Sequence, residues 1–397
     1  MGGTDPKSLI TGALLGPVQI RELAERLGVR PTKTLGQNFV IEPAAVRKIV
    51  ADSGVTAGTR VVEVGPGLGS LTLALLEAGA VVSAIEIDPV LAEALPNTVC
   101  TYQPTAANRF AVLRADALSI KNPEQLAVPR AVATHSVSGD MAAGAPTAGN
   151  RALSLYEPTH MVANLPYNVA VPILLTLLAA LPSLRHVTVM VQAEVADRLA
   201  ALPGSKVYGV PSAKLAWYGH ARRGAKISRT VFWPVPNVDS ALVHVELHRS
   251  RERELTAAGV SDVEASGVGA PEAHTSGVGI HGGTNAHAGA AHEPTDEAGE
   301  RGGAIGGNPH GVSADLVGAP YMELCAGLRD QVFAVIDAAF SQRRKTLRSA
   351  LATWAGSTGA AEHILRAAGV DPRLRGEKLA LTDFVAIARA RLQEGAS

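Results

Sequence analysis

Arg60-Val61-Val62-Glu63-Val64-Gly65-Pro66-Gly67-Leu68-Gly69 is the stretch on which the fold turns. The run before Gly65 is rich in β-branched residues and reads as a strand. The glycines that follow admit positive φ and let a backbone pass close to a ligand. Helical periodicity then covers 71–77, with Gly79 as its stop. The same alternation repeats downstream. Residues 81–87 read as a second strand, and Pro89 opens the helix after it. Further strands are predicted at 110–114, 160–163, 186–191 and, late in the region, 240–247. Strands separated by helices imply an α/β fold whose mostly parallel sheet is covered on both faces.

In such a sheet, ligands bind in the crevice at the carboxyl ends of the strands. The second strand ends in Ile85-Glu86-Ile87-Asp88, and an acid at Glu86 can accept both ribose hydroxyls of an adenosine-containing cofactor. A nicotinamide fingerprint needs Gly or Ala where Ser70 stands, so the loop around Gly65 and Gly67 suits a cofactor without a pyrophosphate better. The third strand ends in Arg114-Ala115-Asp116-Ala117. Alone, Asp116 would be a helix cap. Beside the other strand-end features it fits the same pocket, as an acceptor for an adenine amine. The fourth strand ends in Asn164-Leu165-Pro166-Tyr167, ahead of an apolar run over 169–181. An isolated turn of this kind is usually ordinary. Here, the Asn164 oxygen and a neighbouring carbonyl can each accept one N–H of an exocyclic amine. Tyr167 can stack on the ring that carries it.

The chain has 397 residues, 47% hydrophobic and 18% charged, enough for two domains with a sizeable core. No secretory signal is read at the start. The run 169–181 contains Pro172 and is too short to cross a bilayer. Cys100 and Cys325 offer neither a disulfide framework nor a metal spacing, and the expected compartment is cytoplasmic. The zero net charge conceals an asymmetry. Residues 250–316 hold ten acids and three bases, a net of −7, which leaves +7 on the rest. Within that rest, 206–230 holds six Lys or Arg, among them Arg222 and Arg223, and no carboxylate. A second cluster is Arg343, Arg344, Lys345 and Arg348. Such clusters are usually solvated faces. With Tyr208, Trp217, Tyr218 and Phe232 nearby, they suggest a nucleic-acid partner.

Residues 129–157 and 250–316 are rich in small residues and lack apolar periodicity, so both read as disordered insertions. The five histidines of the second are irregularly spaced, and no metal site is expected there. Residues 321–351 show one helical period, with Leu324, Leu328, Val332, Val335 and Ile336 on one side. Helices at 360–368 and 381–392 complete a small all-helical C-terminal domain.

Seven stretches in this order resemble the ribosomal RNA adenine N6-dimethyltransferase family. They are Lys33-Thr34-Leu35-Gly36-Gln37-Asn38-Phe39, the Glu63–Gly69 loop, Ile85-Glu86-Ile87-Asp88, Asp116, Asn164-Leu165-Pro166-Tyr167-Asn168, the Phe232-x-Pro234-x-Pro236-x-Val238-Asp239-Ser240 segment and the Phe340–Arg348 segment. The resemblance runs from Lys33 to Arg348 apart from the two insertions. It implies a Rossmann-like class I methyltransferase domain over 31–249, an N-terminal extension over 1–30, and a helical RNA-docking domain over 317–397. It implies S-adenosylmethionine as methyl donor and two adjacent adenosines in the 3′-terminal hairpin loop of small-subunit rRNA as acceptors, each dimethylated at N6. By motif position, Asn38, Val40, Gly65, Glu86, Asp116 and Asn164 would hold the cofactor, with Gln37 and Gly67 beside it. Asn164 and Pro166 would orient the amine, and Tyr167 and Phe232 would clamp the base. Arg343, Arg344, Lys345 and Arg348 would meet RNA, and Arg222 and Arg223 of the first basic cluster are expected to meet it as well. The expected partner is an assembling small ribosomal subunit, met by a monomer. A macrolide-resistance type of large-subunit rRNA methyltransferase shares most of these motifs, but the Arg343–Arg348 segment and extended C-terminal domain favour the small subunit. A non-catalytic assembly factor is opposed by the intact Asn164 and Glu86.

Overall fold

The structure is a computed structural model, described for residues 14–29, 38–133, 155–248 and 319–394. Its first part runs α1 (Pro17–Arg26), β1 (Phe39–Val40), α2 (Pro43–Asp52), β2 (Arg60–Val64), α3 (Ser70–Glu77), β3 (Val81–Glu86), α4 (Pro89–Tyr102) and β4 (Phe110–Arg114). It continues with α5 (Arg130–Ala133), β5 (His160–Asn164), α6 (Ala170–Ala180), β6 (His186–Gln192), α7 (Ala193–Leu199), α8 (Val210–Ala216), β7 (Gly219–Ile227), β8 (Phe232–Trp233) and β9 (Ser240–Leu247). Seven strands form one sheet in the order β4-β3-β2-β5-β6-β9-β7. The five from β4 to β6 are parallel, and β9 and β7 add antiparallel to one side. β2 has β3 on one side and β5 on the other, so the strand order reverses there. That reversal opens the crevice in which ligands of such sheets bind.

Both faces of the sheet are covered, which is why β2 and β3 read as continuous apolar runs. One core packs α1 to α4 on one face through Ile20, Ile49, Leu73 and Val99. The other packs α6 and α7 on the opposite face through Leu174, Leu177, Ala196 and Val243. α1 falls in the stretch read as an extension, yet Ile20, Leu23 and Ala24 are buried in the first core. The edges of the 129–157 stretch are likewise part of the fold. Tyr156 is fully buried, and its hydroxyl bonds the carbonyl oxygens of Val61 at 2.9 Å and Val81 at 2.7 Å. The middle of that stretch and all of 250–316 lie outside the described residues.

β7 has no counterpart in the sequence reading. It is an edge strand, and its exposed basic residues obscure the alternation that marks a half-buried strand. Tyr208, Tyr218 and Phe232, read beside the basic residues as possible RNA contacts, are buried core aromatics.

The C-terminal helices are α9 (Ala319–Ser341), α10 (Leu347–Ala350), α11 (Ala352–Ala355), α12 (Thr358–Ala367) and α13 (Leu381–Glu394). Val332, Val335 and Ile336 are buried as the periodicity requires, while the side chain of Leu324 lies outside the described residues. The third core also takes Tyr208 and Ala213 from the first part of the chain. The expected single helix over 321–351 is broken. α9 stops at Ser341, whose hydroxyl caps the Ala338 carbonyl at 2.7 Å, and Lys345 N closes a turn on Gln342 O at 2.8 Å.

Candidate active site

The glycine loop joins β2 to α3. Gly65, Gly67 and Gly69 all have positive φ, at 65°, 59° and 97°. A Cβ on Gly67 would come within 3.0 Å of the Phe39 ring, and one on Gly69 within 2.8 Å of Leu95 Cδ1. The loop therefore lies tight against β1 and α4 and turns its backbone towards a cavity of about 260 Å³. β1 is tied across it by Ser70, whose hydroxyl donates to Val40 O at 2.7 Å.

Of the expected residues, Asn38, Val40, Gly65, Gly67, Glu86, Asp116, Asn164, Pro166 and Tyr167 all line this cavity. They come from four separate strand ends and the segment at β1. Gln37 lies outside the described residues. Glu86, 4% exposed, ends β3. Its Oε2 accepts from Gly67 N at 3.1 Å and its Oε1 from Asp88 N at 3.0 Å. Burial raises its pKa, and the bonds from Asp88 and Gly67 oppose that rise. The result is an acceptor held rigid by backbone at the wall of the pocket. Asp116 caps a short turn by accepting from Leu118 N at 2.9 Å and also lines the cavity.

Asn164 Nδ2 donates to Asn38 O at 3.1 Å, which leaves Oδ1 as the acceptor on the other side of the amide. The Pro166 carbonyl already accepts from Val169 N at 3.3 Å, so the Leu165 carbonyl is the freer second acceptor for an amine. The Tyr167 hydroxyl meets Ser240 Oγ at 3.0 Å, joining the Asn164–Tyr167 turn to the start of β9. Burial raises the pKa of this half-buried phenol and the Ser240 bond opposes it, so it stays neutral.

Phe232 corrects the expectation of two clamping rings. It is fully buried in the core, with 0% solvent exposure, and does not line the cavity, because β8 pairs with β1 and turns it inward opposite Val40. Glu63 is the residue that sequence reasoning missed. It lies in β2 at the base of the cavity, 1% exposed, and burial pushes its carboxyl up to about 8 against a 2.7 Å bond from Thr72 Oγ1. An acid inside an apolar strand was the available signal.

The cations separate into held and exposed groups. Arg343 donates to Glu377 Oε2 at 3.2 Å and to Lys206 O at 2.6 Å, and Arg348 to Glu362 at 3.1 Å. The cluster thus lies in a turn in which two of its four cations are paired. Arg344 and Lys345 are exposed. Arg222 and Arg223 lie on opposite faces of β7, because residues alternate along a strand. No group of metal-binding side chains occurs among the described residues, nor does a helix long and apolar enough to cross a membrane.

A pocket beneath a glycine loop, at the reversal point of a parallel-led sheet, defines a Rossmann-like fold. The crystal structure of a dimethyladenosine transferase from Plasmodium falciparum has this fold, with a TM-score of 0.52 and 16% identity over 89% of this chain and 97% of that one. Residues 29–256 match the ribosomal RNA adenine dimethylase family, and the chain belongs to it. It is 46% identical to the ribosomal RNA small subunit methyltransferase A of Thermobifida fusca (strain YX), over 95% of this chain and 96% of that protein. It is 43% identical to the protein of the same name from Paenarthrobacter aurescens (strain TC1), over 98% of each.

Proposed function

We propose that this enzyme dimethylates N6 of two adjacent adenosines in the 3′-terminal hairpin loop of small-subunit (16S) rRNA, using S-adenosylmethionine. The observation that carries the reading is Asn164, fixed by Asn38 O at the cavity wall with its oxygen free to accept. The pocket fits the donor. Glu86 is a buried acceptor at a strand end, Asp116 stands at the next, and the glycine loop leaves room for close backbone approach. Glu86 would hold the ribose hydroxyls and Asp116 the adenine amine. The donor supplies an electrophilic sulfonium methyl.

The residues of this chain then have one task at the acceptor. An adenine amine is a poor nucleophile because its lone pair is delocalised into the ring. Accepting its two N–H groups at Asn164 Oδ1 and the Leu165 carbonyl favours a pyramidal nitrogen with a localised lone pair. That nitrogen forms the new N–C bond as the methyl's S–C bond breaks, and its proton leaves to water. No strong base is required, since the product cation is acidic. Tyr167, anchored by Ser240, supplies a ring face for the flipped base. Catalysis is positioning and electrostatic orientation. Small subunits, large subunits and free rRNA, each unmethylated, would be offered with labelled S-adenosylmethionine. Label in the small subunit is expected, and label in the large subunit alone would overturn the assignment.

A further inference from the structure

A second groove lies near the start of β9. Gln192, Arg223, Lys226, Arg229, Val238 and Asp239 line it. Gln192 is the register partner of Ser240, the residue that holds Tyr167 at 3.0 Å. The groove therefore begins one residue from the anchor of the substrate ring.

Its cations share a face for a specific reason. Arg223 and Lys226 are three residues apart on β7, and regular alternation would send them to opposite sides. A bulge changes this. Arg223 pairs with Val243 and Lys226 with Ala241, so Gly224 and Ala225 together oppose Leu242. Val243 and Ala241 are on one face of β9, and the two cations follow them. Glycine is needed at the bulge, because a Cβ on Gly224 would collide with the His244 imidazole. His244 cannot readily yield, being 8% exposed and bonded to Thr188 Oγ1 at 3.0 Å. Arg222 is the register partner of His244 and stays on the far side.

Each cation is steadied but not saturated. Arg223 Nε donates to Asp197 at 2.6 Å, Lys226 pairs with Asp239 at 2.7 Å, and Arg229 donates to Asn237 O at 3.4 Å. Exposed pairs of this kind add little to stability and leave most donors available. Glu194, also at the rim, is held by Arg198 at 2.9 Å. Val238, 44% exposed, offers apolar surface beside the charges. Cations beside apolar surface suit a single strand, phosphates on the first and a base on the second. The absence of any carboxylate from 206–230 favours a polyanion over a protein partner.

We propose that this groove grips the rRNA backbone adjoining the target adenosine, with Arg223, Lys226 and Arg229 on its phosphates. The inference rests on the substrate reading above. The test compares full-length wild type, Lys226→Ala/Arg229→Ala and Lys226→Arg on unmethylated small subunits, across subunit and salt concentrations. The double variant is expected to raise KM for subunits about tenfold and to flatten the salt dependence of binding by about one to two units of slope. The rate at saturation, S-adenosylmethionine affinity and Tm should hold, and Lys226→Arg should behave as wild type. Unchanged KM and slope in the double variant would overturn the groove alone. So would a joint fall in Tm, cofactor affinity and rate, which marks a purely structural role. Wild type that leaves small subunits unlabelled would overturn the substrate reading and the groove with it.

Discussion

At the carboxyl ends of β3 and β5, Glu86 is buried and Asn164 half-buried, and both are held by backbone groups; in the turn after α9 the cations stand in solvent, two of them paired with carboxylates. Glu86 is fixed by two backbone N–H groups and Asn164 by a carbonyl. Arg343 and Arg348 are fixed by Glu377 and Glu362. The first arrangement pre-orients acceptors, so small displacements there should cost rate. The second keeps charges mobile and screened, so single losses there should cost little and depend on salt.

The largest expected effect is at Asn164. Asn164→Ala removes an acceptor that matters most as the amine nitrogen pyramidalises, and the single-turnover rate should fall about 100-fold, the scale for losing one preorganised polar group. RNA binding should survive. A wild-type single-turnover rate would take Asn164 out of the chemistry and weaken the contrast between the two regions.

Glu86→Ala comes next and should weaken S-adenosylmethionine binding by about 1–3 kcal/mol, the scale for a charged acceptor. Calorimetry giving wild-type affinity in a folded variant would remove Glu86 from the pocket.

Glu63 sharpens the same contrast through pH. Its carboxyl is raised from 4.5 to about 8 by burial. The folded protein therefore keeps a proton that the unfolded chain releases, and this group makes stability fall as pH rises from about 4.5 towards 8. Below that window the contribution is absent, and above it the loss is complete. Glu63→Gln keeps an oxygen for Thr72 and should flatten the decline in Tm. Parallel Tm profiles for the two proteins would show that Glu63 is ionised after all.

The smallest effects belong to the C-terminal turn, where two variants should diverge. Arg343→Ala breaks contacts to Glu377 and Lys206 and should lower stability by about 0.5–1 kcal/mol, as for an exposed ion pair. Arg344→Ala with Lys345→Ala should leave Tm alone and flatten the salt slope of subunit binding by about one to two units. Equal salt slopes for the two variants would erase the distinction between holding and docking cations.

Much of the site was legible because its signals are local. Buried parallel strands must be apolar throughout, so 60–64 and 81–86 announce themselves. Loops that approach a ligand need glycine, and a residue at a strand end must face the crevice, whatever the rest of the chain does. Glu63 escaped because its neighbours set the reading of its strand, and an acid there has meaning only once its depth is known. The β7 strand escaped because an edge strand with one solvated face lacks the apolar run that marks the others.

The sequence by itself determined the alternating strands and helices, the glycine loop, and the set Glu86, Asp116 and Asn164–Tyr167, since backbone conformation and burial act over a few residues. Tertiary structure alone decided that Phe232 turns into the core opposite Val40, that Ser240 anchors Tyr167, that Arg343 is paired across the chain, and that a bulge at Gly224 brings Arg223 and Lys226 to one face. Each of these depends on a partner distant in sequence. Which partner arrives is set by strand register and packing, and no local pattern encodes it.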